Sequence, residues 1–303
     1  MVGTPFPSGN PQADSRAGFA ATMAHLGDLP TAIETLKSAL DLAPDWAAGW
    51  FRLGEYFEMV QYSEGAIEAW QTAQRLDPSD PFGAGLKIDL MRGEPQLQTM
   101  PAAFVEMLFD QYAPRFDHAL CKTLAYRGPE QLCATLAASG FSHAQRALDL
   151  GCGTGLMGQA LRADCDWLEG CDISQGMLEE AASKEVYDHL DKQDLCQLPA
   201  PTAPYDLIVA ADVFIYVGAL DQILDWCAAA LAPGGRLAFT LERGTKPVEL
   251  RASRRFAHNP DAVLAHLHRV GLSDVVMQEV ILRQDQGRDV AGICLVARKP
   301  SAA

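Results

Sequence analysis

Two kinds of apolar patterning divide the chain. From residue 13 to residue 80, apolar positions repeat with a 34-residue period, so that Ala32 and Ala66, Leu36 and Trp70, Ala39 and Ala73, and Pro44 and Pro78 fall in register. Small Gly54 and Ala66 let two helices approach, large residues fill between them, and a proline ends the second helix. This pattern predicts two helical hairpins, over 13–46 and 47–80, and a capping helix that ends by residue 92. Residues 1–12 read as a disordered N-terminus and 93–103 as a linker. Beyond the linker the pattern changes to short continuous apolar runs: RALDL at 146–150, YDLIVAADVFIYV at 205–217 and LAFTL at 237–241. Buried parallel strands show runs of this kind. LMGQALR, after the first run, has helical periodicity, and QDQGRDVAGICLVARK at 284–299 fits a closing antiparallel hairpin. Strands alternating with helices predict an α/β domain over 104–299.

The first strand runs into glycines at 151, 153 and 155, which permit unusual backbone angles and close approach of a ligand to the amides. The dinucleotide pattern would need a glycine at 156, where this chain has Leu156, and the phosphate-loop ending is missing. The turn does have Asp149 before it, and Asp172 follows Gly151 by 21 residues. A carboxylate at that place can accept both hydroxyls of a ribose. Asp194 follows a further strand end, and Asp212 lies past the core of the 205–217 run.

Trp50, Leu53, Gly54, Phe57, Ala66, Trp70, Ala73 and Pro78 stand at offsets that resemble the tetratricopeptide repeat. The glycine turn, Asp172, the Asp194-Leu195 pair, Asp212 and LAPGG at 231–235 together resemble the class I S-adenosylmethionine-dependent methyltransferases, over roughly residues 104–299. LFDQYAPRFDHAL at 108–120, DISQGMLEEAASKEVYDHL at 172–190 and SRRFAHNP at 253–260 resemble a bacterial group in which such repeats precede a methyltransferase. DISQGML with the A-x-x-K-x-x-Y run ending at Tyr187 is similar to the methyltransferase-like proteins. The resemblance implies a Rossmann-like, seven-stranded methyltransferase sheet preceded by a small all-α repeat domain, with S-adenosylmethionine as cofactor. It implies that Gly151 and Gly153 cradle the methionine part of the cofactor, with Asp149 near its amino group. Asp172 would hold the ribose, Ile173 and Met177 would lie against the adenine, and Asp194 with Leu195 would meet its amino edge. Asp212 would lie near the methyl-donor end. The resemblance leaves the acceptor open.

Composition narrows the partners. The chain is 49% hydrophobic and 21% charged, a composition able to bury two cores, and its formal charge is −15. So acidic a surface repels phosphates, which argues against a nucleic-acid partner. The charge is uneven, however: residues 243–303 carry ten basic and six acidic side chains. The 8 cysteines include no C-x-x-C pair, no apolar run is long enough to span a membrane, and no signal peptide opens the chain. A cytoplasmic protein with no membrane partner is expected.

Methyl transfer from a sulfonium requires mainly alignment and exclusion of water, with no metal, and a base helps when the acceptor is a hydroxyl or an ammonium. His258, in SRRFAHNP, is either that base or a capping histidine. Arg254 and Arg255 beside it either grip an acceptor carboxylate or phosphate or are solvated. Tyr216 reads as rim or core beside the acceptor. Phe109, Tyr112 and Phe116, at helical spacing, form either a lid on the cofactor or plain core. His266 and His268 point to different helix faces, a poor metal spacing. The expected function is in-line methyl transfer to a small, anionic acceptor. The alternatives are an acceptor on a protein or carrier selected by the repeats, and a non-catalytic adaptor that binds the cofactor. Two repeats are fewer than usually stand alone, so a protein partner or self-association through them is expected.

Overall fold

The computed structural model describes residues 6–93, 98–285 and 287–301, and of 121–123 the backbone alone. The chain divides between residues 97 and 98. The first unit holds five helices: α1 (Pro11–His25), α2 (Leu29–Leu40), α3 (Ala47–Met59), α4 (Ser63–Leu76) and α5 (Ala84–Arg92). Asn10 caps α1 by accepting from the amides of Gln12 and Ala13, and Asp28 caps α2 through Thr31 N. The small residues Ala13, Ala17, Ala20, Ala32 and Ala39 are buried with Leu36 and Leu53 in one core. Trp70 has no exposed surface, and its indole lies where a Cβ on Gly54 would stand, its Nε1 donating to Phe51 O. That contact is the physical reason for a glycine opposite a tryptophan across the α3–α4 hairpin.

Two of the expected segments need correction. Residues 1–5 of the segment read as disordered lie outside the described residues, but residues 6–12 are ordered. Phe6 packs edge-on to Phe82, Trp46 Nε1 donates to Phe6 O at 2.9 Å, and α1 already begins at Pro11. Residues 94–97 of the expected linker also lie outside the described residues, while residues 98–103 are part of the second unit. There Thr99 bridges Val217, and Met100 N donates to Tyr216 O.

The second unit opens with α6 (Ala102–Tyr112), a 3-10 turn (Ala113–Arg115), a π-helical turn (His118–Thr123) and α7 (Gly128–Ala138). Strands and helices then alternate: β1 (Ala144–Leu150), α8 (Leu156–Leu161), β2 (Cys165–Asp172), α9 (Gln175–Ser183), β3 (His189–Lys192), β4 (Tyr205–Ala210), α10 (Asp221–Ala230) and β5 (Leu231–Glu242). A short hairpin, β6 (Val248–Leu250) and β7 (Phe256–His258), precedes α11 (Pro260–Arg269), β8 (Ser273–Asp285) and β9 (Arg288–Arg298). The seven-stranded sheet has the order β3-β2-β1-β4-β5-β9-β8. Its first five strands are parallel, whereas β9 runs antiparallel to both β5 and β8.

Both faces of the sheet are covered. Ile208 and Ala210 of β4 pack with Leu224 and Leu267 on one face, while Leu207 and Val209 pack with Leu132, Leu136 and Leu161 on the other. This strict alternation is the strand period of two, and two-sided burial explains the continuous apolar run. The order reverses around β1, which lies between β2 and β4. At such a switch point the loops leaving the carboxyl ends diverge and open a cleft.

Candidate active site

Asp149, near the end of β1, is 1% exposed, and its Oδ2 accepts a 2.6 Å hydrogen bond from Tyr187 Oη. Burial pushes its carboxyl up to about 7, opposed by the Tyr187 bond. The turn that follows holds Gly151 at φ +63 and Gly153 at φ +53, a region that disfavours side chains. A Cβ on Gly151 would stand 2.7 Å from Val213, whereas one on Gly153 would meet nothing within 4 Å. The Gly153 backbone therefore borders open space.

Gly153 N also donates to Asp172 Oδ2 at 2.9 Å, and Ser174 N donates to Oδ1 at 2.9 Å. Two amides thus orient the carboxylate, and each oxygen keeps a further lone pair. Burial raises its pKa, an effect these amides oppose. Asp194 caps a short turn, accepting from Cys196 N and Gln197 Nε2.

Asp212 sits just past β4 at φ +61, its N–H donating to Thr240 Oγ1 at 2.7 Å. Its Oδ1 accepts a 2.5 Å bond from Arg283 on β8, which also pairs with Glu242 at the end of β5. Arg283 is 1% exposed and Glu242 2%, and the two carboxylates offset the burial that disfavours the guanidinium charge.

These residues surround a cavity of about 580 Å³. Asp149, Gly151, Gly153, Asp172, Ile173, Met177, Asp194, Leu195 and Asp212 line it, together with Tyr112, Tyr216, Arg254 and Arg255. Tyr112 is 48% exposed and stands at its rim. Phe109 meets Phe116 at 5.9 Å and Tyr216 at 5.2 Å between ring centroids, both edge-to-face.

His258 does not line the cavity. It is 1% exposed within β7, its Nε2 lies 3.0 Å from Gly218 O, and burial lowers its pKa. The expected general base is therefore corrected to a buried histidine. The β6–β7 pairing turns it inward while the turn of the same hairpin presents Arg254 and Arg255 to the cavity.

Several residues of the site were not singled out in the sequence. Tyr187 and Lys184 belong to the A-x-x-K-x-x-Y run, and Lys184 pairs with Asp117 at 2.7 Å. Asp117 also accepts from Thr154 Oγ1 in the glycine turn. Asp110 accepts from Ser174 Oγ at 2.6 Å and from Gly176 N at 3.1 Å, and Glu106 pairs with Lys192 at 2.5 Å. Three acids of the 102–123 segment thus fasten it to the loops after β1, β2 and α9 and to the end of β3. His266, whose spacing argued against a metal site, pairs with Asp221 and Asp225.

Residues 148–237 match the family model of a methyltransferase domain. The chain is 32% identical over 174 residues to human methyltransferase-like protein 27, covering 54% of this chain and 66% of the relative. It is 30% identical over 151 residues to malonyl-(acyl-carrier protein) O-methyltransferase of Enterobacter lignolyticus, covering 50% and 58%. The chain thus spans less than two thirds of either relative. Among solved structures, Haemonchus contortus phosphoethanolamine N-methyltransferase 2, in complex with S-adenosyl-L-methionine, is similar at a TM-score of 0.51. The match has 16% identity and covers 63% of this chain and 57% of that one. The (4+2)-cyclase SpnF is similar at 0.54, with 17% identity over 65% and 96%. These two likenesses are of fold alone, and the cyclase shows that the fold does not fix the reaction. With the family match over 148–237 and the Rossmann-like order of its sheet, the second unit carries a methyltransferase domain.

Proposed function

We propose that this chain transfers a methyl group from S-adenosylmethionine to a small, anionic molecule bound in the same cavity. The observation that carries the reading is that Asp172, the Gly151–Gly153 turn and the Arg254–Arg255 turn line one space. Gly153 fits a ligand that approaches backbone closely, since nothing stands where its side chain would be. Gly151 and Gly153 would hold the methionine part, Asp149 its ammonium, and Asp172 the two ribose hydroxyls. Ile173, Met177, Asp194 and Leu195 would surround the adenine, with Tyr112 over the mouth. When bound, the cofactor supplies an activated methyl group for in-line displacement.

The protein's own contribution is alignment and dryness. Phe109, Phe116 and Tyr216 exclude water, and the acids of the 102–123 segment hold that wall closed. An acceptor that arrives already ionised needs no base from the protein.

A second reading makes the acceptor a carrier-bound group, as the name of the Enterobacter relative suggests. In that reading the first unit, taken as tetratricopeptide repeats because Gly54 and Trp70 pack as such repeats require, selects the carrier. Mass spectrometry of cell extracts incubated with isotopically labelled methyl donor tests both. A labelled small molecule formed by the native protein and not by Asp172→Ala supports the first reading, and a labelled macromolecule alone supports the second.

A further inference from the structure

We infer that the second ligand of the cavity is an amphipathic monoacid, a carboxylate with an aliphatic or aromatic body, whose charge is taken by Arg254. The inference rests on the methyltransferase reading and names the chemistry of its second ligand. Six apolar side chains, Met100, Phe104, Leu108, Phe109, Leu120 and Leu124, line the same cavity. Water against these side chains is replaced at a gain by hydrocarbon.

Arg254 and Arg255 are the only cations among the described residues that line the cavity. They are not equivalent. Arg255 lies 3.6 Å from the Asp285 carboxylate, so its charge is already answered. Arg254 has no ion pair among the described residues. Its guanidinium lies 5.5 Å from the centroid of the Phe104 ring, beside the apolar side chains of the cavity.

The backbone also marks Arg254. It stands at φ +58 in the turn between β6 and β7, where its N–H donates to Arg251 O at 2.8 Å. Glycine or asparagine is the usual occupant of that conformation, and an arginine there is held against a local cost.

One unanswered guanidinium beside apolar side chains matches one negative charge on an apolar body. A carboxylate fits because it can take two parallel N–H bonds from the planar fork. An amine would meet like charge at Arg254, and an alcohol would leave the guanidinium unanswered.

Calorimetry on the full chain loaded with S-adenosylhomocysteine tests this, with decanoate and 4-phenylbutyrate as probes and decanol and decylamine as comparators. At least one acid binds about tenfold or more tightly than decanol and decylamine. Arg254→Asn, which suits the left-handed turn and removes the charge, lowers that acid's affinity about tenfold and leaves S-adenosylhomocysteine affinity unchanged. Neither acid binding, decanol binding as well as the acids, or an unaffected Arg254→Asn protein would overturn the inference. Failure of S-adenosylhomocysteine to bind would instead strike the methyltransferase reading, and the acids titrated without it would still test Arg254.

Discussion

Tyr187 reaches across from the end of α9 to donate its phenolic proton to Asp149, 38 residues earlier in the chain, beneath the glycine turn. The pair holds a carboxyl that burial raises to about 7 directly below the backbone that the cofactor would approach.

Cofactor affinity should therefore depend on pH. Below about 7 the Asp149 carboxyl is protonated in the free protein, and a ligand ammonium prefers it ionised. S-Adenosylhomocysteine affinity should rise with pH up to about 7 and level off above it, as titration calorimetry across pH 5.5–8.5 would read. Tyr187→Phe, which removes the bond that lowers this pKa, should move the plateau to higher pH. An affinity flat across the range, in both proteins, contradicts the pairing.

The same group sets a stability trend with the opposite sense. The folded carboxyl keeps its proton to about 7, whereas the unfolded one loses it near 3.8, so the native state binds more protons between those values. Stability of the ligand-free chain should fall as pH rises through that window. Asp149→Asn should remove the trend and be more stable at pH 8 by up to about 4 kcal/mol, measured by urea unfolding.

Arg283 is the cation between Asp212 and Glu242. Arg283→Met leaves the buried Glu242 carboxylate and the part-buried Asp212 carboxylate without their shared cation and should cost about 3 kcal/mol of stability. Replacing all three by apolar residues should cost less than Arg283→Met alone. Urea midpoints of the two proteins, compared at one pH, decide the matter.

Much of the site was legible because its signals are local. The spacing of Asp149, Gly151, Gly153 and Asp172 reflects one strand, one turn and the next strand, which periodicity exposes directly. Partners that meet only through the fold were not legible. Arg283 finds Asp212 from 71 residues away across the β8–β9–β5 edge, although a charged pair inside apolar strands, Glu242 and Arg283, could have hinted at it. Tyr187 stood in a quoted run with no role because its partner lies on another strand. His258 shares its hairpin with two cavity arginines, and only the pairing of β6 with β7 decides which of them points inward. Residues 6–12 read as disordered because their order depends on Phe82 and Trp46, far along the chain.

The 102–123 segment should act as a fastened lid. Asp110→Ala frees Ser174 and Gly176, and Asp117→Ala frees Lys184 and Thr154. Each should speed release of S-adenosylhomocysteine about tenfold, the size of one charge-assisted hydrogen bond. Stopped-flow release kinetics would show this, and unchanged rates in both variants would make the segment plain core.

The two units have separate cores, so residues 98–303 alone should fold and keep S-adenosylhomocysteine affinity within about threefold. Retained transfer to a small acceptor supports the small-molecule reading. Retained cofactor binding with lost transfer supports an acceptor selected by the first unit.

The central claim is that Asp172 and the glycine turn hold S-adenosylmethionine. Calorimetry of the full chain against Asp172→Ala, with melting curves to confirm that both are folded, tests it most directly. The account predicts binding to the native protein and a loss of about thirtyfold or more in the variant, the cost of two charge-assisted hydrogen bonds. Equal affinity in the two proteins, or no binding to either, would contradict it.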